Sequence, residues 1–199
     1  MRTRRLRSSS DPVSTPRTSS RGGNAGAAKS AGHQTVLLHE AIDSLSIIKS
    51  DVVVDATVGG AGHSSALTEK LSAKGTFIGI DADSAALARA KAAFAGKKGP
   101  AIHLVNGNFR NLDEHLRALN IDSIDKALID LGWSGYQLTA QRGFSFQYEE
   151  PLLMTYEDEL KPDTLTAREI VNEWEETSIA DILWGWGGER YARRIAGAI

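Results

Sequence analysis

Asp51-Val52-Val53-Val54-Asp55-Ala56-Thr57-Val58-Gly59-Gly60-Ala61-Gly62-His63 decides the fold. Three consecutive valines suit a strand buried on both faces, as the inner strands of a parallel sheet are. The glycines that follow let the chain turn sharply and bring its backbone against a ligand with no Cβ in the way. A helix opening at Gly62 then presents free N–H groups at its start. Strand, glycine turn and helix in that order form the first half of a βαβ unit. The loop suits any nucleotide-like cofactor, or a purely structural turn. Ser65 stands where the dinucleotide pattern G-x-G-x-x-G would place its third glycine.

Outward from this stretch the same alternation continues. Thr76 to Ile80 reads as a second strand, and Asp83 is placed to cap a helix running to about Phe94. Ala101 to Val105 reads as a third strand, Leu112 to Leu119 as a third helix and Ile124 to Leu131 as a fourth strand. Upstream, His39 to Ser46 reads as a short helix. Together these predict an α/β fold, a doubly wound Rossmann-like core. After Gly132 the period is lost through Pro162. Helical character returns at Thr166, where Thr166 and Glu169 have capping-box spacing. Ser178 is placed to cap a second helix, and Glu189 to Ile199 reads as a third that carries Arg190, Arg193 and Arg194.

Four chemical signals fall at the carboxyl ends of successive strands, where open α/β sheets bind ligands. The glycine loop is the first. Asp81, ending the second strand, is placed to accept from both hydroxyls of a ribose, or to serve only as a cap, a role that Asp83 fits better. Gly107-Asn108-Phe109 follows the third strand, where an amide and an aromatic face suit an adenine ring; Phe109 as ordinary core is the alternative. Asp130-Leu131-Gly132 closes the fourth strand.

At this point the strings resemble one family. His33-Gln34-Thr35-Val36-Leu37-Leu38, the glycine loop, Gly79-Ile80-Asp81, Gly107-Asn108-Phe109, Asp130-Leu131-Gly132, Gln137-Leu138, Arg142-Gly143-Phe144-Ser145-Phe146 and Glu189 to Ala196 occur in the order of the ribosomal RNA small-subunit methyltransferase H family, the MraW type. The resemblance implies a methyltransferase core at 33–138 and an inserted helical substrate-recognition lobe at 139–199. It implies S-adenosylmethionine as cofactor and N4-methylation of a cytidine in the decoding region of 16S ribosomal RNA, with the small ribosomal subunit as partner. Carried over residue by residue, the cofactor contacts are Ala61, Gly62, His63, Asp81, Phe109, Asp130 and Gln137. Asp130 is the candidate catalytic acceptor for the amine proton, or a cofactor contact only. His63 is a base by type, or a hydrogen-bonding loop histidine. The sequence departs from the family at Trp133 and Tyr136, which stand where it carries valine and proline. The family also continues past the arginine-rich helix, so a sequence ending at Ile199 is expected to be either a fragment or a shortened homologue with one core edge unpaired.

Composition narrows the rest. There is no cysteine and no metal-ligand cluster, so thiolate, disulfide and metal chemistry are not expected. No apolar run approaches the roughly 20 residues that cross a bilayer, so no membrane partner is expected. Residues 1–30 carry Arg2, Arg4, Arg5, Arg7, Arg17, Arg21 and Lys29 against Asp11 alone, a local +6 in a chain of net −2. Rich in Ser, Gly, Pro and Ala, residues 1–32 read as a disordered basic arm. Such an arm contacts RNA phosphates, directs the chain to an organelle, or is a solvated extension; without a targeting role, the chain is cytoplasmic. Arg142, Arg190, Arg193 and Arg194 are the candidate RNA-binding residues, with Trp133, Tyr136, Trp184 and Trp186 as candidate stacking groups. The competing readings are a cofactor- or RNA-binding remnant without turnover, and a nicotinamide-dependent oxidoreductase.

Overall fold

A computed structural model describes residues 35–199. The basic arm, with its RNA-contacting and targeting readings, lies outside the described residues, as do His33 and Gln34. Val52–Asp55 (β1), Thr76–Asp81 (β2), Ala101–Asn106 (β3) and Lys126–Leu128 (β4) pair in parallel in the order β3-β2-β1-β4. Between and around them lie α1 (Leu38–Ser44), α2 (Gly62–Lys70), α3 (Ser84–Phe94) and α4 (Leu112–Ala118).

The alternation of side chains along a strand explains the layering. Val53 lies opposite Phe77, and Val54 opposite Ile78. Val53 and Phe77 enter a core with Ile42, Leu67, Ala90 and Phe94, beneath α1, α2 and α3. Val54, Ile78 and Ile80 point the other way, against Leu112 and Leu116 of α4 and Leu119 just past its end. The crossovers from β1 to β2 and from β2 to β3 therefore run on one face, and that from β3 to β4 on the other. This is a doubly wound α/β sheet, and its winding reverses between β1 and β4.

Asp83 caps α3 as predicted, accepting from the Ala85 N–H at 3.0 Å. Beyond β4 come the one-turn α5 (Gly135–Leu138), then α6 (Ala167–Glu173), α7 (Glu176–Gly185) and α8 (Ala192–Ala196). Capping boxes close both Ser134 with Gln137 and Thr166 with Glu169, the second as its spacing predicts. Ile179, Ala180 and Ala196, with Ile170 and Leu183, give α6–α8 a small core of their own. Residues 35–199 nonetheless fall within a single compact unit.

Three predicted elements differ. The fourth strand is only three residues long. Before it, the Asp125 carboxylate accepts from the Val52 N–H at 2.8 Å; after it, the Asp130 N–H turns to Thr57 Oγ1 at 2.8 Å. At the start the Asp125 N–H still donates to the Val52 carbonyl at 2.9 Å, whereas past Leu128 a side chain replaces the ladder. Ser178 caps nothing: α7 begins at Glu176, which puts an acid in the first turn, where the helix dipole favours it. The terminal helix is five residues, because Glu189 Oε1 accepts from the Tyr191 N–H at 2.7 Å and holds 189–191 as a turn.

Candidate active site

The glycine loop is held from beneath by Asp55, the last residue of β1 and fully buried. Its carboxylate accepts from the Thr57 N–H at 3.1 Å and from Ser64 Oγ at 2.6 Å, tying the strand end to the first turn of α2. Gly59 takes φ +50°, a left-handed conformation that a side chain disfavours. Its N–H donates to Asp81 Oδ2 at 2.8 Å, while its carbonyl accepts from the Arg89 guanidinium at 3.3 Å. At Gly62 a Cβ would collide with the Thr35 hydroxyl, so the residues entering α1 lie directly on the loop.

These contacts shape one cavity of about 590 Å³ across the strand tips. Gly62, His63, Asp81, Phe109, Asp130 and Gln137 all line it, as do Thr35, Trp133 and Tyr156. Ala61 does not. It is buried as the left-handed residue before α2, and it shapes the turn through its N–H, which donates to the Val58 carbonyl at 2.7 Å.

The cavity presents two carboxylates, a histidine and aromatic rings. Asp81 holds two backbone N–H groups, one on each oxygen: Gly59 at 2.8 Å and Asp83 at 2.9 Å. A carboxylate oxygen has a further lone pair to offer. His63 is 7% exposed, and its buried Nε2 makes no hydrogen bond among the described residues. Its Nδ1 lies 3.7 Å from Asp130 Oδ2, on a side chain that is 59% exposed. Gln137 Oε1 is taken up by the Ser134 N–H at 2.9 Å. Phe109, in a 3-10 turn just past β3, presents a ring 39% exposed. Among the described residues no group of three or more His, Cys, Asp or Glu is arranged for a metal, and no helix is long and apolar enough to cross a membrane.

Burial pushes the Asp55 carboxyl above its ordinary value, against the lowering effect of the Ser64 and Thr57 hydrogen bonds. Burial likewise raises Asp81, against the Asp83 and Gly59 N–H groups. Desolvation also acts upward on Asp158, but the Ser84 hydroxyl and N–H outweigh it and hold that carboxyl low. The Thr166 N–H and hydroxyl hold Glu169 low. The stability linked to a raised carboxyl is fully present below its unfolded value of 3.8 and is lost as pH rises through the folded one. Stability linked to a lowered carboxyl is present above 3.8 for Asp158 and 4.5 for Glu169, and is lost as pH falls through the folded value. Thermal unfolding followed by circular dichroism should therefore show Asp55 and Asp81 raising the midpoint as pH falls through their folded values toward 3.8. Asp81→Asn removes part of the rise; an unchanged profile in that variant would contradict the assignment.

Arg142 is not on the surface. Its guanidinium donates to Asp83 Oδ2 at 3.0 Å and to the Tyr156 carbonyl at 2.5 Å, with both charged side chains buried. Its reading as a phosphate contact is corrected, because its charge is committed to Asp83. Asp158 adds a second tie to Ser84. The stretch after α5 is thereby fastened to the β2–α3 turn, beside Asp81. No local signal could reveal this, since the partners lie 59 and 74 residues apart in an aperiodic segment. Arg190, Arg193 and Arg194 are exposed, away from the residues lining the cavity, and Arg190 lies over the Tyr191 ring at 4.6 Å. Trp184 and Trp186 are exposed too, at 64% and 92%.

The MraW methylase family matches residues 30–199, which include every element of the sheet and every wall of the cavity. The chain belongs to that family. Among curated members, the ribosomal RNA small subunit methyltransferase H of Clostridium botulinum (strain Kyoto / Type A2) is 44% identical over 82% of this chain and 52% of its own length. That of Brevibacillus brevis (strain 47 / JCM 6285 / NBRC 100599) is 42% identical over 82% of this chain and 51% of its own. The chain thus spans about half the length of the curated relatives it matches. A crystal structure from Clostridium thermocellum, provisionally assigned as an rRNA methylase, is 21% identical over 48% of this chain and 51% of that one, with a TM-score of 0.42. Membership in a methylase family leaves the oxidoreductase reading without support.

Proposed function

We infer that this chain carries the cofactor site of an S-adenosylmethionine-dependent methyltransferase. Its proposed substrate is the N4 amine of a cytidine in the decoding region of 16S ribosomal RNA, within the small ribosomal subunit in the cytoplasm. One observation carries this reading: Gly62, His63, Asp81, Phe109, Asp130 and Gln137, spread over 76 positions of sequence, line one cavity at the strand tips. Asp81 would take the ribose, Phe109 the adenine face, and Gln137 with the N–H groups opening α2 the amino-acid end. Residues 139–199 would form the recognition lobe, with Arg190, Arg193 and Arg194 available to phosphates.

The bound cofactor supplies an electrophilic sulfonium methyl. A cytosine amine is a poor nucleophile because its lone pair is delocalised into the ring, so attack needs alignment and a proton acceptor. Asp130 meets the second need. Its backbone is fixed through Thr57 Oγ1, and its half-open carboxylate could accept a hydrogen bond from the amine, take the proton that the amine loses, and release it to solvent. His63 would lie beside that carboxylate, its Nδ1 3.7 Å away.

Incubating the chain with labelled S-adenosylmethionine and small ribosomal subunits, then mapping the modified nucleotide, tests the reading. Label on one cytidine N4 is expected. Cofactor binding with no transfer would favour the second reading, a cofactor- or RNA-binding protein without turnover. Tighter calorimetric binding of NAD than of S-adenosylmethionine would reject both.

A further inference from the structure

Trp133 stands out among the groups lining the cavity. It lies three residues past Asp130, lines the cavity and is 54% exposed, so much of the indole is open to a ligand. It is not loose. Before it, the Asp130 N–H is bonded to Thr57; after it, the Ser134–Gln137 capping box fixes the chain. Its ring packs on Phe144, centroids 5.6 Å apart at 42°, and Phe144 is itself buried and packs on Tyr156 at 6.0 Å. Tyr156 is anchored by Arg142, which Asp83 holds. An aromatic row therefore runs from the β4 tip toward the β2–α3 turn, and Trp133 is its open end nearest the proposed proton acceptor.

A large aromatic face kept rigid and half solvated is what a nucleobase stacks on, because every base offers a π-face and the platform loses little entropy. The cavity's other aromatic near a strand tip, Phe109, is on the far side of the sheet order, past β3. We propose that Trp133 is the stacking platform for the target base, an unpaired pyrimidine drawn from single-stranded RNA, and so a specificity-determining residue. This rests on the methyltransferase reading above. The competing role for an indole there is a cation–π contact to the sulfonium, which the test below separates from base stacking.

The test uses the full chain saturated with S-adenosylhomocysteine and a short single-stranded RNA carrying one pyrrolocytosine. Wild type is expected to bind it and change its fluorescence. Trp133→Ala should weaken binding by about 5- to 100-fold, the range of one lost base–aromatic stack, and abolish the fluorescence change. Trp133→Phe should stay within about threefold of wild type, since a smaller ring keeps the platform. Calorimetry on the same variants should give an unchanged ratio of S-adenosylmethionine to S-adenosylhomocysteine affinity. Equal RNA affinity in wild type and Trp133→Ala overturns the proposal, as does no RNA binding by the cofactor-bound wild type. A ratio that falls in Trp133→Ala overturns it in favour of the sulfonium contact. Failure of the wild type to bind either cofactor form strikes the methyltransferase reading instead.

Discussion

Replacing Arg142 with methionine is expected to lower the free energy of unfolding by about 3–5 kcal/mol, measured by urea denaturation. The magnitude follows from what is left behind. Asp83 and Arg142 are only 5% and 10% exposed at their side chains, so methionine would strand a buried carboxylate without its counter-charge. The reverse replacement would strand a guanidinium. Removing both charges at once should cost much less, since the desolvation penalty disappears with the attraction. In Arg142→Met with Asp83→Asn, the asparagine still accepts from the Ala85 N–H, because Asn is among the best capping residues. The double variant should therefore recover most of the loss. A single variant within about 1 kcal/mol of wild type would mean that the pair is solvated and does not hold the loop. Its effect on function runs through Tyr156, whose carbonyl Arg142 grips and whose ring lines the cavity.

The second large effect concerns the cofactor. Asp81→Asn should weaken S-adenosylmethionine binding by about 100-fold or more in calorimetry, as expected from two hydrogen bonds to a charged acceptor at roughly 1.5–3 kcal/mol each. An asparagine has one acceptor oxygen where the carboxylate has two, and both of Asp81's oxygens already serve the loop through Gly59 and Asp83. The variant must therefore release either a loop N–H or a ribose hydroxyl. Its fold should survive, because burial disfavours the charge that it removes. Since ionised Asp81 costs stability but serves binding, acid should weaken cofactor affinity over the same interval in which the unliganded chain gains stability. A loss of less than tenfold with the fold intact would show that Asp81 does not hold the ribose.

How much of this was legible from residue order depends on the range of each interaction. The Val52-Val53-Val54 run, the glycine turn and the Asp83 and Thr166 caps are contacts within a few residues, and they were read correctly as strand, loop and helix starts. The reach of β4 and the start of α7 were not. A strand's length depends on the partner beside it, and here the Asp130 N–H leaves the ladder for the Thr57 hydroxyl. Ser178 has capping chemistry but sits inside a helix already begun.

Local periodicity and turn chemistry alone determined that this chain winds a parallel sheet and that Gly62, Asp81, Phe109 and Asp130 fall at strand ends, because those features arise from neighbouring backbone sterics and side-chain alternation. Only the tertiary structure decided that these ends meet in one cavity, that Arg142 is an internal tie rather than a surface cation, and that Trp133 is braced at the rim. Such facts depend on contacts between residues dozens of positions apart, whose energies come from shared burial and charge pairing that no local pattern records.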